Sequence, residues 1–229
     1  MNSAMKCRFL SCAVLVGCLC VGAHMVASSA AAAGQKQPED PRNIRTGREI
    51  PDEGYCDQPY VVHTENGDWL CTLTTGPGRE GDQGQHVVAT RSDDHGRTWS
   101  EPVDIEPSTG PEASWALPFA TPYGRIYVFY VFNGDEVRTL NGRKIRADML
   151  GWYCYRYSDD GGRTWSERHR LPMRKTACDR GNDWNGDVQI FWGICEPITA
   201  GDDMYFSFTK LGKYMLSQGE GWMYNSPNI

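Results

Sequence analysis

"SDDHGRTWS", Ser92–Ser100, returns 66 residues later as "SDDGGRTWS", Ser158–Ser166, with one residue changed. The shared pattern is Ser-x-Asp-x-Gly-x-Thr-Trp, carried by Ser92, Asp94, Gly96, Thr98 and Trp99 and again by Ser158, Asp160, Gly162, Thr164 and Trp165. Ser and Asp side chains accept hydrogen bonds from nearby backbone N–H groups, Gly supplies positive φ, and Trp covers an apolar edge. The pattern therefore reads as a structural hairpin turn rather than as a catalytic or Ca²⁺-binding cluster of aspartates.

Around each copy lie short apolar runs separated by turn residues. "PYVVHT", "WLCTLTT", "QHVVATRS" and "PVDI" surround the first; "WALPFAT", "RIYVFYVFN", "MLGWYCYRYS" and "HRLP" surround the second. The alternation and the close spacing of turns predict β-strands joined as hairpins. A third round begins with "VQIFWGICEPIT", then "GDD" and "MYFSFTKLG". No convincing amphipathic helix is found. Four-strand units of roughly sixty residues, each with a Gly-rich turn near its end, predict an all-β protein built from propeller blades, which bury their faces by stacking on neighbours. Closed rings usually need about four to eight blades. This chain supplies about two and a half to three, which leads to the expectation of an incomplete chain.

At the N-terminus Lys6 and Arg8 precede the apolar run Phe9–Ala27, followed by small residues and then by "KQPEDPR". This predicts a signal peptide over 1–33 and a secreted or periplasmic product, with no membrane attachment after cleavage. A lipoprotein signal ending at Cys18 is the rival reading, opposed by the hydrophobicity that continues beyond it. Residues 34–54 read as a polar lead-in, and 55–229 as the partial propeller. Without the signal, 21 basic residues face 29 acidic ones, a net charge of about −8, which disfavours nucleic acid as a partner. Five cysteines remain, Cys56, Cys71, Cys154, Cys178 and Cys195. At most two pairs can form; Cys71 and Cys154 lie in strand patterns that simply bury them, whereas Cys178 and Cys195 lie in loop-like surroundings. No metal-ligand spacing and no cofactor motif is present.

The repeated nonapeptide resembles the Asp-box, or BNR repeat, of the sialidase (neuraminidase) family, and the resemblance covers roughly Tyr55 to the end. It implies a six-bladed propeller with each box on the hairpin between a blade's last two strands. It also implies a secreted glycosidase acting on terminal sugars of extracellular glycans, an exo-α-sialidase by default. In that family a Tyr nucleophile is activated by a Glu, an Asp serves as acid/base, and arginines hold the substrate carboxylate. Carried onto this chain, the acid/base position falls on Asp82 in "GREGDQGQHVV", with Glu80 and His86 as neighbours that could serve instead. The Glu position falls on Glu196 in "CEPITAGDDMYFSFTK", and Lys210 stands where an Arg is expected. The family's first arginine has no counterpart in "GYCDQPYVV", where Asp57 and Gln58 stand instead; either the substrate differs, or Arg48 or Arg79 takes that role. Arg180 and Trp184, in the polar loop "CDRGNDWNGD", are candidates for the pocket rim. Nothing matches the nucleophile, so the isolated chain is expected to be inactive. The alternative is a non-catalytic propeller that binds glycans or protein partners.

Overall fold

The computed structural model describes residues 43–215 and 217–227. The expected signal peptide, and the lead-in up to residue 42, lie outside the described residues. After a short 3₁₀ turn at Ile44–Thr46 the described chain is almost entirely β.

The first blade is an antiparallel sheet in simple order, β1 (Tyr55–His63), β2 (Trp69–Gly76), β3 (His86–Ser92) and β4 (Val103–Asp104). The second repeats it with β5 (Ala113–Ala120), β6 (Ile126–Phe132), β9 (Leu150–Ser158) and β10 (His169–Arg170). Between β6 and β9 a small hairpin, β7 (Thr139–Leu140) with β8 (Arg143–Lys144), turns at Asn141-Gly142. Both turn residues have positive φ, 51° and 73°, as a tight two-residue hairpin requires. The third blade holds β11 (Gln189–Trp192), β12 (Ile198–Ala200), β13 (Asp203–Lys213) and β14 (Ser217–Ser226), preceded by a four-residue helix α1 (Ala177–Arg180). β11 and β12 pair with one edge of β13 and β14 with the other, and β11 also pairs with β9, so that the second and third blades share one eight-stranded sheet. The run "VQIFWGICEPIT" is divided between β11 and β12. Gly193 sits so close to Tyr153 that a Cβ would lie 2.8 Å from its hydroxyl, and Pro197 donates no ladder hydrogen bond.

Stacking of blades explains why central strands are apolar on both faces. In β2 every residue after Trp69 is buried. Leu70, Val87 and Ala89 of the first blade pack with Ala116, Val128 and Tyr130 of the second. The opposite face of the second blade sends Phe129, Val131 and Tyr153 against Phe191, Phe206 and Phe208 of the third. Each buried aromatic of this kind contributes roughly 2–3 kcal/mol by area removed from water. The wide outer face of the first blade is covered by Ile50 of the lead-in and by Trp99. The described cysteines are all free: Cys71 and Cys154 are buried in strands, Cys178 is buried in α1, and Cys56 and Cys195 are exposed.

Candidate functional site

The two inner strands β1 and β5 lose register at the same end of the molecule, between Asp57 and Tyr60 and between Ser114 and Leu117. Each irregularity carries a residue other than glycine at positive φ, Gln58 at 48° and Trp115 at 62°. A bulky aromatic in that region is strained, and such strain persists only where surrounding contacts impose it. Trp115 is held by a hydrogen bond from its backbone N–H to Thr74 Oγ1 at 2.9 Å and by burial of its ring. The bulges turn Asp57 toward Tyr55 and Trp115. Burial raises the Asp57 carboxyl above its ordinary range and the negative charge of Glu80 raises it further; hydrogen bonds from Tyr55 and Trp115 oppose this without cancelling it.

Glu80 reaches this place from the β2–β3 loop, and Arg146 and Asp148 reach it from the segment after the β7–β8 hairpin. Arg146 Nε donates to Asp148 Oδ1 at 2.7 Å, and its Nη2 donates to the other oxygen of the same carboxylate. Its Nη1 donates to Glu80 Oε2 at 2.9 Å, and Nη2 lies 2.6 Å from Glu80 Oε1. One planar guanidinium therefore ties two carboxylates from different blades in fork geometry. Gly81 makes the approach possible: it sits at φ 77°, and a Cβ there would lie 2.3 Å from that of Arg146. The backbone N–H of Arg146 donates to the Tyr214 hydroxyl at 2.9 Å, and Trp192 lies 5.9 Å beneath the guanidinium, packed on Trp115 at 5.1 Å. All three blades thus converge on a patch with three carboxyl groups, one cation and two indoles.

The residues expected from sequence distribute unevenly around this patch. Asp82 and Arg79 share the loop of Glu80, but Asp82 is engaged in its turn. It accepts the Arg79 N–H at 3.0 Å and lies 3.5 Å from Lys144, and its carboxyl is held low first by that backbone bond and then by Lys144. A carboxylate held low is a poor proton donor near neutrality. Arg79 has an exposed side chain, and its backbone carbonyl accepts from Gln85. His86 is buried nearby, its Nε2 3.4 Å from Asp104 and 3.7 Å from Glu53. Glu196 lies at the other end of the inner strands, exposed on a surface shared with His63, Phe119 and Ala120. Because His63 pairs with Trp69 while Tyr55 pairs with Gly76, Glu196 and the loop of Asp82 are separated by a strand length, roughly 25 Å. They do not form one site. Lys210 is 2% exposed and donates to Asp179 and to the Arg174 carbonyl, the latter at 2.7 Å, so it offers no accessible cation to a substrate. Arg180 is exposed on α1 and bonds the Lys175 carbonyl at 3.0 Å. Trp184 packs half-buried against the large core; its neighbour Asp183 accepts the Tyr214 N–H at 2.9 Å, linking this loop to the patch.

The two nonapeptides occupy the β3–β4 and β9–β10 connections and close on themselves. Asp94 Oδ1 accepts from the N–H groups of Arg97 and Thr98 at 2.9 and 2.8 Å, and Ser92 Oγ accepts the Gly96 N–H at 2.8 Å. Asp160 repeats this with Arg163 and Thr164, both at 2.9 Å, and Ser158 with Gly162 at 2.8 Å. Neither turn contributes to the patch. Arg146 and Asp148 were missed by sequence reading, although the Asn-Gly dipeptide before them marks the hairpin that delivers them.

No family model matches this chain, and no curated protein does. Solved structures do match in fold. A protein of unknown function from Dyadobacter fermentans superposes with a TM-score of 0.59 at 14% identity, over 77% of this chain and 52% of that one. The Hadza microbial sialidase Hz136 superposes with a TM-score of 0.52 at 19% identity, over 73% of this chain and 34% of that one. The chain spans about half and about a third of the length of these two structures. At such identities the likeness is one of architecture, and the architecture is that of the sialidase-like β-propeller.

Proposed function

We propose that the patch around Asp57 binds a glycan and cleaves a glycosidic bond of a neutral sugar. The observation that carries this reading is the pairing of a carboxyl raised above its ordinary range by burial, Asp57, with a second carboxylate, Glu80, fixed by Arg146. Two carboxyl groups in contrasting environments are the usual equipment of glycoside hydrolysis. Asp57 donates its proton to the leaving oxygen as the bond to the anomeric carbon breaks, and Glu80 takes the proton of the attacking water. The fold likeness to Hz136, a sialidase, supports a role in glycan processing.

An exo-α-sialidase is the narrower form of this reading, and the charges weigh against it. The Arg146 fork is already filled by Asp148 and Glu80, and Asp57 stands near where a substrate carboxylate would have to sit. A neutral sugar avoids that repulsion. The expectation of an inactive chain rests on the missing Tyr nucleophile, which a two-carboxylate route does not need; the test is release of fluorophore from neutral and sialylated aryl glycosides by the wild-type chain and Asp57→Asn. Loss of about 10²–10⁴ in kcat on a neutral substrate is expected. Equal rates for the two proteins would remove Asp57 from the mechanism; binding without turnover by the wild type would identify the non-catalytic alternative. Export is proposed on the apolar run Phe9–Ala27 after Lys6 and Arg8; a mature N-terminus at residue 34 in protein recovered outside the cytoplasm is the outcome expected.

A further inference from the structure

On the face opposite Asp57, a cleft of 210 Å³ opens between the second and third blades. Tyr123 from the β5–β6 turn, Tyr127 of β6 and Tyr155 of β9 form one wall; Tyr224 and Ser226 of β14 form the other, over a floor that includes Phe129. Four tyrosines in one small cleft exceed what burial alone requires, because Tyr127, Tyr155 and Tyr224 are only half-buried and Tyr123 is 56% exposed.

The rings are held in place before any ligand arrives. Tyr155 stacks on His169 at 4.9 Å and 18°, and Tyr224 stacks on Phe206 at 4.9 Å and 23°. Tyr127 lies 5.9 Å from Tyr155 and hydrogen bonds with Tyr123. Fixed aromatic rings with hydroxyl tips lose little entropy on binding and present both an apolar face and hydrogen-bonding groups. A lipid chain would leave those hydroxyls unpaired, at a cost. Among the described residues no charged side chain lines the cleft, and Arg125, 6.0 Å from the Tyr127 ring, is paired with Asp159 at 2.7 Å. The volume falls below the roughly 300–1,000 Å³ of drug-sized sites, which suits a single ring.

We infer that this tyrosine cleft is a second, non-catalytic carbohydrate site that takes one neutral pyranose ring. It is independent of the chemistry assigned to Asp57, lying at the other end of the blades. Occupying it would hold the protein on a glycan while the opposite face stays free.

Saturation-transfer NMR on the full chain tests this, with methyl β-D-galactopyranoside and methyl α-D-glucopyranoside as single-ring probes and maltohexaose as a chain. Transfer to at least one probe is expected, with a Kd in the millimolar range. Tyr123→Ala, at an exposed turn where folding is not at stake, should weaken binding by roughly five-fold, and Tyr123→Phe, which keeps the ring, by less than about two-fold. Because the Asp57 patch is itself proposed to bind a glycan, the share of the cleft is the part of the transfer lost in Tyr123→Ala, and that loss should be the same in the Asp57→Asn background. Preference for the single-ring probes points to recognition of a chain end, and preference for maltohexaose to an internal ring; either supports the site. Absence of transfer from all three probes, or transfer that Tyr123→Ala leaves unchanged, would overturn the inference.

Discussion

Asp57 concentrates the chemistry of this molecule because its surroundings oppose its charge. The bulge at Gln58 and the strained Trp115 hold it beside Glu80 in a partly buried place. A group whose native value is raised contributes stability that is full below the ordinary carboxylate range, near 3.9, and is lost as pH rises through the raised native value. At pH 7 the folded protein therefore carries a penalty that the unfolded chain escapes. Asp57→Asn should remove it, raising the melting temperature at pH 7 by an increment worth less than about 1 kcal/mol given the solvent exposure of the site, while turnover is lost. The wild-type rate should fall as pH rises through the raised value, and this limb should be absent from the variant; a melting temperature that drops at pH 7 would contradict the account. Asp57 stood in the sequence only as a missing arginine, because the groups that perturb it lie 23 and 58 residues away along the chain, at Glu80 and Trp115.

At the level of the element, the two nonapeptide turns behave alike within themselves and differently toward their neighbours. Asp94 is held near about 2, first by the backbone N–H of Thr98 and then by its hydroxyl. For Asp160 burial pushes upward, but bonds from Thr164, Ser158 and Arg163 outweigh it and again leave it at about 2. Both values are depressed, so the stability these turns contribute is present above the ordinary carboxylate range and is lost as pH falls toward about 2. Their glycines are less equivalent. A Cβ at Gly96 would meet Trp69 of its own blade at 2.9 Å, whereas one at Gly162, at φ 84°, would meet Leu70 of the first blade at 2.4 Å. Leu70 is fully buried and cannot yield. Gly162→Ala should cost about 2–3 kcal/mol in urea unfolding; an unchanged midpoint would show that the contact relaxes. The turns could be read from nine residues because the bonds that Asp94 and Asp160 accept from the backbone span four positions or fewer. The close approach that ends β11 could not, since Tyr153, which crowds Gly193, belongs to another blade.

For the molecule as a whole, what joins the first two blades is partly ionic. Glu106, just after β4, is fully buried, and its carboxylate accepts from Tyr130 at 2.5 Å, from Arg156 at 3.1 Å and from Arg168 at 2.6 Å. Burial would raise its carboxyl, but the bonds from Arg168, Tyr130 and Arg156 prevail and hold it low. Glu106→Ala would leave two guanidinium groups without their partner and should cost about 3–5 kcal/mol, with loss of the cooperative transition between blades; a melting curve superimposable on the wild type would refute this latch. The strand pattern, the blade repeat and the turn chemistry were determined by sequence alone, because alternation, glycine placement and side-chain-to-backbone bonds act over a few residues. Which carboxyl groups meet was decided only by the tertiary structure. Asp57, Glu80, Arg146 and Asp148 come from three separate segments, and Asp82 and Glu196, alike on paper, fall at opposite ends of the inner strands. The reason is physical: a shift in carboxyl affinity depends on burial and on charges a few ångströms away, and these distances exist only once the blades have stacked.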